Sequence, residues 1–221
     1  PSSTLIVHTM HYATHALPPQ DIYRLLTSSV VPRPIAWVST RSSTGVDNLA
    51  PFSFFTIASV QPPVLAIVQL RPPHRPAKDT LVNLRATREC VVNIATSDLL
   101  DAMNATAADY PPDISESDMA QIERCASQWV GVPGVKQACV RHECRLRDVL
   151  ELGNNPMGGT LILLDVVGSS VNESLLQDGA LVPARLDTLG KLGADWYCYT
   201  REQCERQRPA VSPVGNSNSK P

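Results

Sequence analysis

Several signatures that would declare a function outright are missing from this chain. No G-x-G-x-x-G run follows a strand pattern and no G-x-x-x-x-G-K-[ST] occurs, so neither a Rossmann dinucleotide crevice nor a P-loop is expected. G-x-S-x-G and H-E-x-x-H are absent too, which removes the nucleophile elbow and the zincin helix. The six cysteines contain no C-x-x-C pair, and their spacings fit no zinc pattern. They read as scattered free thiols of a reducing compartment, most simply as small buried hydrophobes. No apolar run is long enough to cross a bilayer, and the first residues lack the basic region and long apolar stretch of a secretory signal. The expected location is therefore cytoplasmic, away from membranes. A formal net charge of -2 supplies no global positive field for nucleic acid.

What is present is a chain of 221 residues, 43% hydrophobic, which suits one domain with extensions. Residues 1–20 read as an N-terminal extension, 21–205 as the domain and 206–221 as a polar, disordered tail rich in Pro, Ser and Asn. Strand signals lead the first half. PIAWVST (34–40) is short, aromatic and β-branched, and RSSTGVDN (41–48) has hairpin-turn composition. LAPFSFFTIAS (49–59) is predicted as one strand, with Pro51 marking a bulge or an edge. VLAIVQL (64–70) follows as a strand buried on both faces. KDTLVNLRAT (78–87) predicts a helix capped by Asp79 or Thr80, and ECVVNIA (89–95) another strand. Residues 97–110 predict a helix capped by Ser97, and 115–125 one with Ser115 and Asp118 at capping-box spacing. Two long strands (138–152, 158–172), divided by a GNNPMGG turn, and a short aromatic strand (195–200) complete the pattern. Strands without regular helix alternation predict a mainly β chain with short helices, closed or nearly closed as an antiparallel barrel.

Three clusters carry candidate chemistry. His8, His11 and His15 would share one face of a helix and could hold a metal, but lie in a segment where histidines are ordinarily solvated; no metal site is expected. A helix that opens with Lys78, Asp79 and Thr80 offers free backbone N–H groups, an ammonium and a hydroxyl to a phosphate, although simple capping with a solvated lysine explains the same residues. Phe52, Phe54 and Phe55, all the phenylalanines of the chain, could place one ring in the core and another beside a planar ligand, or all three in the core.

Taken in order, VPRPIAWVST (31–40), NLAPFSFFTIASVQPP (48–63), KDTLVNLRATRECVVNI (78–94), AMNATAADYPP (102–112), ECRLRDVLELG (143–153) and LGKLGADWY (189–197) resemble the flavin reductase-like family. The resemblance implies an FMN-binding split β-barrel of Greek-key type. It implies that Ser53, Lys78 and Thr80 hold the phosphate, with Arg33 or Arg85 adding charge. Thr40, Asn48, Ala50, Pro51 and Phe52 would line the ring and ribityl chain, and the loop at Lys191 and Leu192 would sit near the ring. It further implies a homodimer and a flavin (FMN) reductase-like oxidoreductase, with NAD(P)H as co-substrate. Hydride would pass from NAD(P)H to the flavin and on to free flavin, ferric iron or another acceptor. A partner monooxygenase, or an electron-carrier or sensor role without NAD(P)H activity, fits the same resemblance. No catalytic side chain is named, because hydride transfer demands none. Two positions depart from the family pattern: Thr56 stands where Asn is common, and Ala194 replaces a glycine, so that loop is expected to take a different path.

Overall fold

The computed structural model describes residues 9–209. The elements run α1 (Pro19–Ser29), β1 (Arg33–Pro34), β2 (Ala36–Arg41), β3 (Asp47–Phe52), β4 (Phe55–Val60), β5 (Pro63–Leu70), α2 (Asp79–Thr87), β6 (Glu89–Ile94), α3 (Leu100–Ala105), α4 (Glu116–Met119), β7 (Arg124–Cys125), β8 (Gly134–Val135), β9 (Val140–Glu151), β10 (Gly159–Val171), β11 (Leu176–Gln177), β12 (Ala180–Leu181), β13 (Leu189–Lys191) and β14 (Tyr197–Tyr199). Seven strands form one sheet in the order β3-β2-β6-β9-β10-β5-β4, antiparallel at every pairing. β3 approaches β5, and β1 approaches β4, so the two ends of the sheet curl toward each other without pairing. This is a mainly β split barrel.

Alternation along the strands builds the interior. Ala36 and Val38, Leu65 and Ile67, Cys90 and Val92, Cys144 and Leu146, and Ile162 and Leu164 point to one cluster. Leu81 and Leu84, one helical turn apart on α2, plug it from the open side. β2 is buried on both faces, because Trp37 and, on β3, Leu49 join a second cluster with Met103 of α3, Ile122 and Leu189. The Trp37 indole N–H donates to the Thr106 hydroxyl at 2.9 Å, so its polar atom is satisfied inside. Burial of each such Leu or Ile side chain stabilises the fold by about 1.5–3 kcal/mol.

The expected strand over 49–59 is two strands. The chain bends at Ser53–Phe54, and β3 and β4 become opposite ends of the sheet. Two bonds hold the bend: Arg33 Nε donates to Ser53 Oγ at 3.4 Å, and Val68 N–H donates to the Phe54 carbonyl at 2.8 Å. Pro51 sits on the edge strand β3, where a missing N–H costs nothing.

Three helix expectations need correction. α2 is present, but its N-cap position is Lys78, with no capping side chain. The 97–110 helix shrinks to a 3-10 turn over Ser97–Leu99 and α3; the Ser97 hydroxyl is engaged by Asp187 instead of capping. The 115–125 helix is the single turn α4, and the Ser115 hydroxyl accepts from Arg124 at 2.7 Å. In each case a tertiary partner takes the polar side chain that local capping would have used.

α1 has no counterpart among the expected elements. Its sequence signal is Pro19 in the first turn, followed by Asp21 and the Ile22–Leu25–Leu26 spacing. Its apolar side chains stay largely uncovered, with only Thr27 fully buried. His11 and His15 are exposed and His8 lies outside the described residues, as do 210–221 of the expected tail. Among the described residues, no group of three His, Cys, Asp or Glu side chains is placed to hold a metal ion. No helix among them is long and apolar enough to cross a membrane.

Candidate functional site

The start of α2 is where the expected residues converge. Lys78 is extended (φ -78°, ψ 160°), and its carbonyl accepts from the N–H groups of Leu81 and Val82. The N–H groups of Asp79 and Thr80 have no protein partner among the described residues, and no side chain caps them. A helix N-terminus left open in this way carries a partial positive charge and two aimed donors. The Lys78 ammonium lies 5.8 Å over the Phe52 ring. Its side chain keeps contact with solvent, yet the protein crowded around the ammonium desolvates it and lowers its pKa below the ordinary lysine value.

Two recesses meet at Lys78. One, of about 190 Å³, lies between β3 (Asn48, Ala50, Pro51), the first turn of α2, Arg75 and Tyr110. The other, also about 190 Å³, follows the bend through Pro51, Phe52, Ser53 and Phe54, and is walled by Tyr23, Val68 and Leu70. Side by side and sharing Pro51 and Lys78 as walls, they make a groove that is polar at the helix and aromatic at the bend.

A buried polar network supports the helix end. The Asn48 amide accepts from the Leu49 N–H and the Thr80 hydroxyl at 3.2 and 3.1 Å and donates to Glu116 Oε1 at 3.2 Å. Glu116 Oε2 accepts from the Leu49 N–H at 2.9 Å. Burial raises the Glu116 carboxyl above its ordinary pKa, partly opposed by the Leu49 N–H bond. One turn further along α2, Asn83 donates to the Thr40 hydroxyl at 3.1 Å. β2, β3, α2 and α4 are thus tied together beneath the groove.

Of the expected site residues, Asn48, Ala50, Pro51, Phe52, Ser53, Lys78 and Thr80 come together here. Thr40 does not reach the groove: it is fully buried and serves Asn83. Arg85 is exposed on α2 and pairs with Glu151 at 3.0 Å. Arg33 is buried, its guanidinium donating to the carbonyls of Thr27, Val30 (2.7 Å) and Leu192 (2.8 Å). It meets the groove through Ser53 and through the Phe54 ring, whose centroid is 5.9 Å from its guanidinium carbon. The Lys191 ammonium lies 4.0 Å over the Tyr197 ring, and desolvation lowers its pKa. Lys191 and Leu192 connect to the groove through Arg33, which faces Lys191 across the β1–β13 pairing. Of the three phenylalanines, Phe52 is in the core, Phe54 lines the groove and Phe55 packs against the core from its edge.

Tyr23, Arg75 and Glu116 belong to this region without having been expected there. Arg75 bridges Asp79 (2.8 Å) and Asp109, and its i,i+4 spacing to Asp79 is the one signal the sequence held. Glu116 acts on a residue 67 positions away, and no local pattern announces that.

Comparison with known proteins gives a consistent result. The model of the flavin reductase like domain matches residues 27–186. An uncharacterised protein of Halalkalibacterium halodurans is 33% identical over 197 residues, covering 87% of this chain and 93% of its own length. Among solved structures, component B of nitrilotriacetate monooxygenase from Bacillus cereus is 33% identical, with a TM-score of 0.86 over 90% of this chain and 100% of the other. The 2-nitrobenzoate 2-nitroreductase NbaA of Pseudomonas fluorescens is 26% identical, with a TM-score of 0.83 over 93% and 100%.

Proposed function

The chain belongs to the flavin reductase-like family, and on that premise we propose that it is an FMN-dependent oxidoreductase, fed by NAD(P)H and serving a small-molecule acceptor. The observation that carries this proposal is the uncapped start of α2, with the unpartnered N–H groups of Asp79 and Thr80 beside the Lys78 ammonium, opening onto the aromatic bend at Phe52–Phe54. This donor set fits a phosphate ester at one end and a planar ring at the other. The Thr80 hydroxyl is committed to Asn48, so Thr80 contributes its backbone N–H, and Lys78 and Ser53 contribute side chains. Bound FMN would accept a hydride and release its electrons to a second acceptor. The protein's part is to bind and orient the cofactor: β3 supplies a rigid wall, the buried network fixes the helix end, and Arg33 holds Ser53 at the bend.

The proposal includes a homodimer. Ile57 and Val60 on the sheet-end strand β4 are 68% and 83% exposed, beside an apolar recess lined by Phe55, Val64, Ile94 and Val166. An edge strand carrying such residues calls for a cover. The Bacillus cereus relative is a component of a monooxygenase, which motivates a partner oxygenase here too. The proposed location is the cytoplasm.

The test is a visible spectrum of the purified protein, mass identification of any released chromophore, and NADH and NADPH oxidation by the FMN-loaded protein. Flavin bands, released FMN and nucleotide oxidation are expected. A protein that takes up no added FMN refutes the proposal. FMN retention without nucleotide oxidation reduces it to an electron carrier.

A further inference from the structure

The groove at Lys78 does not end at the bend. Tyr23, Phe54 and Leu70 line it on one side and also wall a second, solvent-open chamber of about 330 Å³ beside it. α1 contributes Ile22 and Leu26 to that chamber, and the turn between β9 and β10 contributes Pro156 and Met157. The volume stands at the lower end of the range for small-molecule pockets, enough for one ring and its substituents.

The wall formed by the turn is held in place. Arg71 N–H donates to the Gly158 carbonyl at 2.9 Å, and Met157 N–H donates to the Arg71 carbonyl at 3.0 Å. A side chain at Gly158 would sit 2.3 Å from the Gly153 carbonyl oxygen, so the turn closes only on glycine. Met157 takes a φ of 66°, a left-handed conformation that a long side chain seldom adopts. Residues held in this way gather at ligand clamps, and a thioether beside aromatic rings suits a flat apolar guest.

The polar side chains of the chamber are those of Tyr23, Thr27 and Asn155. No Asp, Glu, Lys or Arg lines it, so an ionised guest would lose hydration without gaining a counter-charge. The Thr27 hydroxyl is engaged with the Tyr23 carbonyl at 2.8 Å. The Tyr23 hydroxyl has no partner among the described residues, and the side chain is 42% exposed.

We propose that this chamber binds an uncharged single-ring aromatic or conjugated carbonyl compound, with the Tyr23 hydroxyl donating to the guest's oxygen. Its service as the acceptor side of the groove rests on the flavin proposal above; its capacity to hold a ring does not.

Acetophenone, which is neutral, flat and a hydrogen-bond acceptor, is the probe. Its binding to the full chain is measured by titration calorimetry with and without FMN, in parallel with FMN uptake. Tyr23→Phe is expected to weaken acetophenone about 3- to 10-fold, the worth of one hydrogen bond. Met157→Trp fills the chamber and is expected to reduce binding by more than about tenfold, with FMN uptake unchanged. Should that variant not fold, Leu26→Trp fills the same space from α1. No acetophenone binding by the wild type, as when a second copy covers the chamber, overturns the proposal. So does equal binding by the wild type and the filled variant. Acetophenone bound by a protein that takes no FMN upholds the chamber and removes the flavin proposal alone.

Discussion

The two ends of the groove are built on different principles. At the helix end, buried polar side chains from β2, β3, α2 and α4 bond to one another, and Thr40, Asn48, Thr80, Asn83 and Glu116 are all buried. At the bend, Tyr23 of α1 faces side chains of β3 and β5, and α1 itself is loosely covered, with Leu26 and Val30 53% and 60% exposed and the Arg33 guanidinium tying its end and the 192 loop to the barrel. Networks fixed on sheet and helix give a site that keeps its shape; a helix whose apolar face is largely uncovered gives a wall that can adapt. The contrast suits an invariant phosphate at one end and a variable guest at the other.

The sharpest way to break this contrast is to release the fastening at the bend. Arg33→Ala leaves the carbonyls of Thr27, Val30 and Leu192 without their donor, and a loss of about 1–3 kcal/mol for each carbonyl left buried and unpaired is expected in urea denaturation. Arg33→Lys should recover only part, since an ammonium cannot replace a forked guanidinium. If Arg33→Ala cost under about 1 kcal/mol, α1 and the 192 loop would be held by packing instead.

At the other end, Glu116→Ala removes the nearer acceptor of the Leu49 N–H and the acceptor of the Asn48 amide N–H, with an expected loss of about 1.5–3 kcal/mol. The pH dependence sharpens the point. The folded carboxyl has a pKa raised above its unfolded value, so the native state binds the extra proton. Its contribution therefore makes stability fall as pH rises from the ordinary carboxylate value through the raised one. Glu116→Gln should flatten that slope, measured as denaturation midpoint against pH; an unchanged slope would assign it to other groups.

Binding separates from stability at Lys78, which is exposed and supports no other side chain by hydrogen bonding. Lys78→Ala is expected to weaken FMN by about 1.5–3 kcal/mol, some ten- to hundredfold, with the melting temperature unchanged. Undiminished FMN retention would place the phosphate elsewhere. The smallest effect is expected at Ala194, whose φ of 47° lies in the left-handed region. Ala194→Gly should stabilise by about 1 kcal/mol, seen as a small rise in melting temperature; a fall would mean that the alanine side chain packs favourably there.

Ala194 also shows how far the chain could be read. The loop was expected to take a new path because alanine stands in place of glycine, and the alanine itself adopts a left-handed conformation. The helix start at Lys78–Thr80 was legible because capping and free N–H groups are properties of adjacent residues. The bend at Ser53–Phe54 was not, since the 49–59 stretch alternates like one strand, and only Arg33 and Val68 hold the break open. Arg85 sits on the expected helix, but its side chain goes to Glu151 on β9, and helical spacing alone does not say which neighbour a surface arginine meets.

The sequence by itself determined the long strands β2, β5, β6, β9 and β10, the hairpin at Gly45, the position of α2, and family membership, because side-chain period, turn chemistry and ordered motifs are written along the chain. Only the tertiary structure decided that Glu116 braces Asn48, that Thr40 lies under α2, and that Tyr23 divides groove from chamber. Those outcomes depend on which strands become neighbours and which helix covers the open side. That choice is made by burial summed over the whole chain, and no window of adjacent residues contains it.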